Sequence, residues 1–205
     1  MIWLTALEKI AVAGSAITVA IISIKGLRTW RKQIIGGSQH EAAKNIIRSA
    51  LKTKRAIEQT RAIGRYSFEE EGLSEEQKSA SNSETRAHRY SMRLKILLAD
   101  NASEFELASF EAEALWGKKA KDKTDLLKKC IGEIYHASNA SFMYKRMVEV
   151  DQLTGKQTFD EIRNSLTQYR KILYYPETPD ELDEFGNKVN SAVETISDYF
   201  RRYLK

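Results

Sequence analysis

The chain has 205 residues, a net charge of +5 and a 30% share of charged residues, enough length for a short anchor plus one helical domain with a continuous core. Its lone cysteine, Cys130, excludes a disulfide framework within the chain. Two prolines, Pro176 and Pro179, and ten glycines favour long helices over strands closed by turns.

The charge is unevenly spread. Residues 25–65 carry eleven basic side chains against Glu41 and Glu58, whereas residues 66–115 carry eleven acidic against five basic. A basic third of this kind suits an anionic surface. No recognisable nucleic-acid-binding module accompanies it, so nucleic acid is not expected as a partner.

From Ile10 to Ile24 there are fifteen residues without a charge, followed at once by Lys25, Arg28, Arg31 and Lys32. That pattern predicts a transmembrane anchor with a basic collar. Fifteen helical residues reach about 22 Å, short of a hydrocarbon core of about 30 Å, so the span must lengthen at one or both ends. Extension towards Leu4 takes in Glu8 and Lys9, and extension forward uses the long stems of Lys25 and Arg28. Trp3 and Trp30 then fall near opposite interfaces. The positive-inside bias places the N-terminus outside and the rest in the cytoplasm. The alternatives are a cleaved signal peptide, disfavoured by Lys-Gly-Leu-Arg after Ile24, and a buried or interfacial helix. Small residues four apart, Ala11 with Ser15 and Gly14 with Thr18, form a candidate face for self-association of the anchor.

Gly36-Gly37 is expected to separate the anchor from the domain. Four hydroxyl-to-glutamate pairs then announce helix starts: Ser38 with Glu41, Ser81 with Glu84, Thr158 with Glu161, and Thr178 with Glu181. A basic helix follows from about Gln39 to Ile63, with Ala43, Ile46, Ile47, Ala50, Leu51 and Ile57 on its inner side and Gly64 at its end. Residues 66–80, with Glu69-Glu70-Glu71, read as an acidic linker or mobile loop.

From Asn82 to Trp116 apolar residues recur every three or four positions, which predicts one long helix, unless Asp100-Asn101 breaks it and Ser103 caps a new one. Gly117 and the tract Lys118 to Lys123 read as a turn. A second stripe through Leu127, Cys130, Ile134, Ala137, Ser141, Tyr144 and Val148 completes an antiparallel hairpin. A shorter helix is predicted over Thr158 to Leu173 and a bend at Tyr174-Tyr175-Pro176. The last helix is expected to open at Pro179 and to carry Leu182, Phe185, Val189, Ala192, Ile196, Tyr199 and Tyr203. The predicted fold is all-α, an N-terminal transmembrane helix (1–35) followed by a cytoplasmic bundle of four or five helices (36–205).

Leu27-Arg28-Thr29-Trp30-Arg31-Lys32-Gln33 after the anchor, Glu111-Ala112-Glu113-Ala114-Leu115-Trp116-Gly117 at the hairpin, and the closing Tyr-Phe-Arg-Arg-Tyr-Leu carry a resemblance. In this order they resemble a family of uncharacterised bacterial proteins, single-pass and helical. The resemblance implies the fold and topology and brings no activity with it. Arg65-Tyr66-Ser67-Phe68 departs from the Arg-Asn-Pro-Phe expected after the basic helix.

Catalytic and cofactor patterns are weak. Glu133-x-x-His136 suits one iron of a carboxylate-bridged pair, but the sequence has no second copy. His40 and His88 read as exposed. Thr154-Gly155-Lys156-Gln157-Thr158 has Val150 where a phosphate-binding loop needs its first glycine and Gln157 where it needs a hydroxyl. The Asn101 and Asn139 glycosylation patterns read as chance, and Cys130 as a core residue. Trp116, at the hairpin, either packs the bundle's end or marks a partner surface.

The expected function is a non-enzymatic, membrane-tethered interaction module with no catalytic, metal or cofactor residues. Its expected partners are anionic headgroups, through Lys25, Arg28, Trp30, Arg31 and Lys32, and a protein partner or homo-oligomer. The alternative is a membrane-acting effector, for example in defence against phage, that assembles through its anchor.

Overall fold

A computed structural model describes residues 2–62, 66–79, 83–151, 159–176, 178 and 182–204. Within its helices, the side chains of residues 2–21, 24, 28, 31–35, 79, 83, 142, 144–151 and 159–163 lie outside the description. Helix α1 runs Ile2–Arg61, α2 Glu75–Ser79, α3 Ser83–Arg93, α4 Ala99–Trp116, α5 Lys118–Asp151, α6 Phe159–Leu173 and α7 Glu184–Phe200. Short 3-10 turns occupy Ser67–Glu70 and Arg201–Tyr203, and a π-helical turn, Leu94–Leu98, joins α3 to α4. There is no strand among the described residues, and the fold is all-α. Met1–Glu41 and Ala42–Lys205 form two compact units.

In the first unit, among the described residues, no helix is long and apolar enough to cross a membrane. Apart from Ile22 and Ser23, the uncharged run Ile10 to Ile24 lies outside the described side chains, as do Ala11, Gly14, Ser15 and Thr18 of the candidate self-association face. Gly36-Gly37 does not interrupt α1, and Ser38 and Glu41, expected to start a helix, lie inside it. Two helical glycines cost about 2 kcal/mol of propensity, which a long helix can absorb.

The second unit is a helical bundle. α5 packs against α3, α4, α6 and α7, and one cluster joins Ile46 and Ile57 of α1, Leu98 and Phe105 around α4, Leu127, Cys130 and Ile134 of α5, and Val189, Ile196 and Phe200 of α7. Cys130 is fully buried there, as its stripe suggests, and burial pushes its thiol up to about 11. Most of the small hydroxyls in this core are satisfied locally. Ser49, Thr60, Ser109 and Thr124 donate to carbonyls three or four residues back, while Thr53 Oγ1 crosses from α1 to the Asn101 carbonyl at 3.0 Å.

The long rod α3–α4 does not break at Asp100-Asn101. Its buried side, Tyr90, Leu94, Leu98 and half-buried Ala102, repeats every four residues, and an α-helix would rotate such a stripe by about 40° per step. The wider π turn takes up that rotation. Asn101 Nδ2 donates to the Leu97 carbonyl at 2.9 Å, satisfying an acceptor within the turn. The hairpin that follows turns on one residue. Gly117 has φ 67° and ψ −154°, and α5 begins at Lys118, so the lysine tract expected as a turn is the helix's first turns.

Residues 66–79, expected as part of a linker, are structured: Glu69 is buried in the 3-10 turn, and Ser74 N donates to Gln77 Oε1 while Gln77 N donates to Ser74 Oγ to start α2. α7 starts later than expected. Its N-cap is Asp183, whose Oδ1 accepts from Gly186 N at 2.9 Å, and Leu182 stands 70% exposed outside the helix. A Cβ added at Gly186 would stand 2.1 Å from Asp183 Oδ2, so the cap requires glycine there. Ser81, Gly64, Thr158, Pro179 and Glu181, given as helix boundaries, lie outside the described residues.

Three buried arginines tie the helix ends together. Arg61 donates through Nε to the Ile172 carbonyl (2.9 Å), through its second terminal nitrogen to those of Lys171 (3.1 Å) and Tyr174 (3.0 Å), and through both terminal nitrogens to the Asp183 carboxylate (2.9 and 2.7 Å). Tyr175 and Phe185 rings flank its guanidinium at 4.8 and 5.1 Å. Arg93 does the same for the end of α1, reaching the Ala62 carbonyl at 2.6 Å and Glu69 Oε1 at 2.6 Å. Arg89 reaches the Lys78 carbonyl of α2 at 2.7 Å.

Two outcomes are expected. Gly117→Ala places a side chain in a conformation nearly reserved for glycine and should lower the unfolding free energy by about 1–3 kcal/mol in denaturant titration. Burial alone would raise the Asp183 carboxyl, but hydrogen bonds from Arg61 and Gly186 and the Arg61 charge outweigh it and hold it below the usual aspartate range. Its contribution is therefore complete above the ordinary aspartate value, shrinks as pH falls below it, and is gone once pH has dropped through the lowered one. Asp183→Asn, which keeps a cap but no charge, should flatten that part of the acid-unfolding curve.

Candidate functional site

Residues 42–61 of α1 are sharply two-faced. Ala42, Ala43, Ile46, Ala50, Thr53 and Ile57 point into the bundle, while Lys44, Arg48, Leu51, Lys52 and Arg55 point out. The outward residues follow helical spacing, so they line one continuous stripe. Leu51, expected on the inner side, is instead 50% exposed. Along this stripe runs a shallow groove of about 490 Å³ between Lys44 and Arg55, with Ile47 and Leu51 in its floor and Leu204 of the closing segment at its side. Cations rim an apolar floor.

Lys52 lies at the groove's flank, where it forms an ion pair with Glu104 of α4 at 2.8 Å. Beyond that pair, α4 presents the opposite character. Between Ala99 and Trp116 there are five carboxylates and no lysine or arginine. Its exposed Leu107 (69%) and Phe110 (55%) stand between Glu106 on one side and Asp100 and Glu111 on the other. Lys128 of α5 lies over the Phe110 ring at 4.8 Å.

The other candidates fall into separate places. Lys25 and Trp30 of the collar are exposed, Trp30 by 62%, while the side chains of Arg28, Arg31 and Lys32 lie outside the description. Trp116 packs the end of the bundle, its ring 5.1 Å from Phe200 and 4.6 Å from Tyr203. Glu133 pairs with Lys188, and His136 meets Tyr169 edge-on at 5.8 Å. No group of three metal-ligating side chains occurs among the described residues. His40 is exposed, and His88 Nε2 lies 3.0 Å from the Glu71 carbonyl. Residues 154–158 lie outside the description. A smaller cavity of about 160 Å³ beside Asp183 is lined by Thr167, Arg170, Lys171, Tyr174 and Tyr175, and among the described residues its wall holds no histidine, cysteine or serine.

Comparison with protein-family models, with curated proteins and with solved structures finds no match to this chain.

The groove's cations are spent on surface, whereas Arg61, Arg89 and Arg93 are spent on structure. Arg48→Glu combined with Arg55→Glu should change the unfolding free energy by less than about 1 kcal/mol. Arg93→Ala, which strands buried Glu69, should cost about 3–5 kcal/mol in the same titration.

Proposed function

We propose that the chain is a non-enzymatic, membrane-tethered helical interaction module, anchored through Ile10 to Ile24 with its bundle on the cytoplasmic side of a bacterial inner membrane. The observation that carries this reading is the uncharged run Ile10 to Ile24 followed at once by Lys25, Arg28, Arg31 and Lys32, with Lys25 and Trp30 exposed. Lys25, Arg28, Arg31 and Lys32 then meet anionic headgroups, each contributing on the order of 1 kcal/mol, and Trp30 sits at the interface. The bundle's titratable groups support a binding role. Glu69, Asp183 and Glu133 are each engaged by an arginine or lysine, and Cys130 is buried with a raised thiol. The order of motifs along the chain, which resembles a family of single-pass helical proteins, points the same way.

Fractionation tests it. The full chain should pellet with membranes, resist extraction by high salt and dissolve in detergent, and protease added outside spheroplasts should leave its C-terminal part intact. Recovery in the supernatant without detergent, or digestion of that part from outside, overturns the reading.

A further inference from the structure

The basic stripe of α1 and the acidic stripe of α4 belong to one surface. Lys52 meets Glu104, Thr53 meets Asn101, and Arg93 meets the carbonyls of Thr60 and Ala62, so residue numbers rise along one helix as they fall along the other. The two helices are antiparallel. In that register, at equal rise per residue, Lys44 is level with Glu111, Arg48 with Leu107 and Arg55 with Asp100. Lys52 and Glu104 both turn towards the shared seam, and in antiparallel helices this sets both exposed stripes on the same side of it. One side of the bundle therefore carries two parallel bands, cationic around Leu51 and anionic around Leu107 and Phe110.

We propose that this surface is the docking site for a second copy of the chain, related by a two-fold axis running along the α1/α4 seam. That rotation lays the α1 stripe of each copy over the α4 stripe of the other, so opposite charges meet twice and Leu51 approaches the Leu107 and Phe110 line. The other in-plane two-fold axis, across the seam, would put cation on cation and anion on anion. Charge complementarity selects one arrangement. It also selects the occupant: an anionic lipid surface would be attracted by Arg48 and Arg55 but repelled by Asp100, Glu106 and Glu111 on the same side. The inference extends the interaction-module reading by naming its partner, and it stands for the folded chain whether or not the anchor enters a membrane.

Charge reversal in the full chain tests it, with mass measured by light scattering and sedimentation, in detergent if the chain requires it. Wild type should dimerise, less so as salt rises. Arg48→Glu with Arg55→Glu sets glutamates against the α4 carboxylates of the other copy, and Asp100→Lys with Glu111→Lys sets lysines against its Arg55 and Lys44. Each double variant alone should dimerise at least about tenfold more weakly, their equimolar mixture should form a heterodimer, and the quadruple variant should regain the homodimer. A monomeric wild type, double variants that associate as wild type does, or a mixture that fails to pair would each overturn the proposal. So would loss of binding to anionic vesicles in the arginine variant with its self-association unchanged. The membrane fractionation reads the anchor separately, so failure of one test leaves the other standing.

Discussion

Helix ends are the weak points of any all-helical fold, because the last carbonyls of each helix have no partner within it. In this protein the ends of α1, α2 and α6 are closed by arginines from elsewhere in the chain, Arg93, Arg89 and Arg61. A planar guanidinium with five donors can serve several carbonyls and a carboxylate at once, which a lysine cannot. Arg61 joins three elements by this means: the end of α1 on which it sits, the end of α6 whose carbonyls it serves, and the start of α7 through Asp183. Asp183 in turn caps α7, so one ion pair closes one helix and opens another.

This use of charge separates two populations of basic residue. The buried arginines are held by geometry and cannot be spent on a partner, whereas those of the outer α1 stripe meet solvent beside an apolar floor. The same division appears among the carboxylates: Glu69 is buried against Arg93, while Glu106 and Glu111 face outward on α4. A chain with a modest net charge thus presents two strongly and oppositely charged bands. Function, on this reading, lies in the outward set, and the interior set supplies the rigid frame that holds the bands in register.

Periodicity revealed the helices because each buries a single stripe, and Tyr90, Leu94, Leu98, Phe105, Leu127, Ile134, Val189 and Ile196 are buried as their spacing suggests. What periodicity conceals is the polar interior. Arg61, Glu69 and Arg93 look like solvated charges in the sequence, since their partners stand 122, 24 and 24 residues away. The acidic segment 66–80 accordingly reads as a loop, although Glu69 makes it part of the fold. Helix starts were legible only where the cap was local. Ser74-x-x-Gln77 was as clear a signature as those singled out, while Ser38-x-x-Glu41 lies where the helix has already begun. Leu51 was misplaced because an apolar residue among cations satisfies an inward stripe and an outward groove equally well. The groove itself needed Leu204, which no local pattern connects to α1.

The π turn at Leu94–Leu98 sets a phase between the two halves of a continuous rod. Arg89 and Arg93 on one side of it must aim at the ends of α2 and α1, and Phe105 and Ala112 on the other side must fill the core. A uniform α-helix of this length would satisfy one group and turn the other away. The turn holds about one residue more than an α turn, so loss of a single residue within it would wind the rod smoothly and keep its halves in phase, whereas loss elsewhere in the rod would rotate everything beyond by about 100° and carry the α4 carboxylates off the outer surface. Chain length between Arg93 and Phe105 is thereby quantised: substitution there is a matter of volume, but insertion or deletion is a matter of angle.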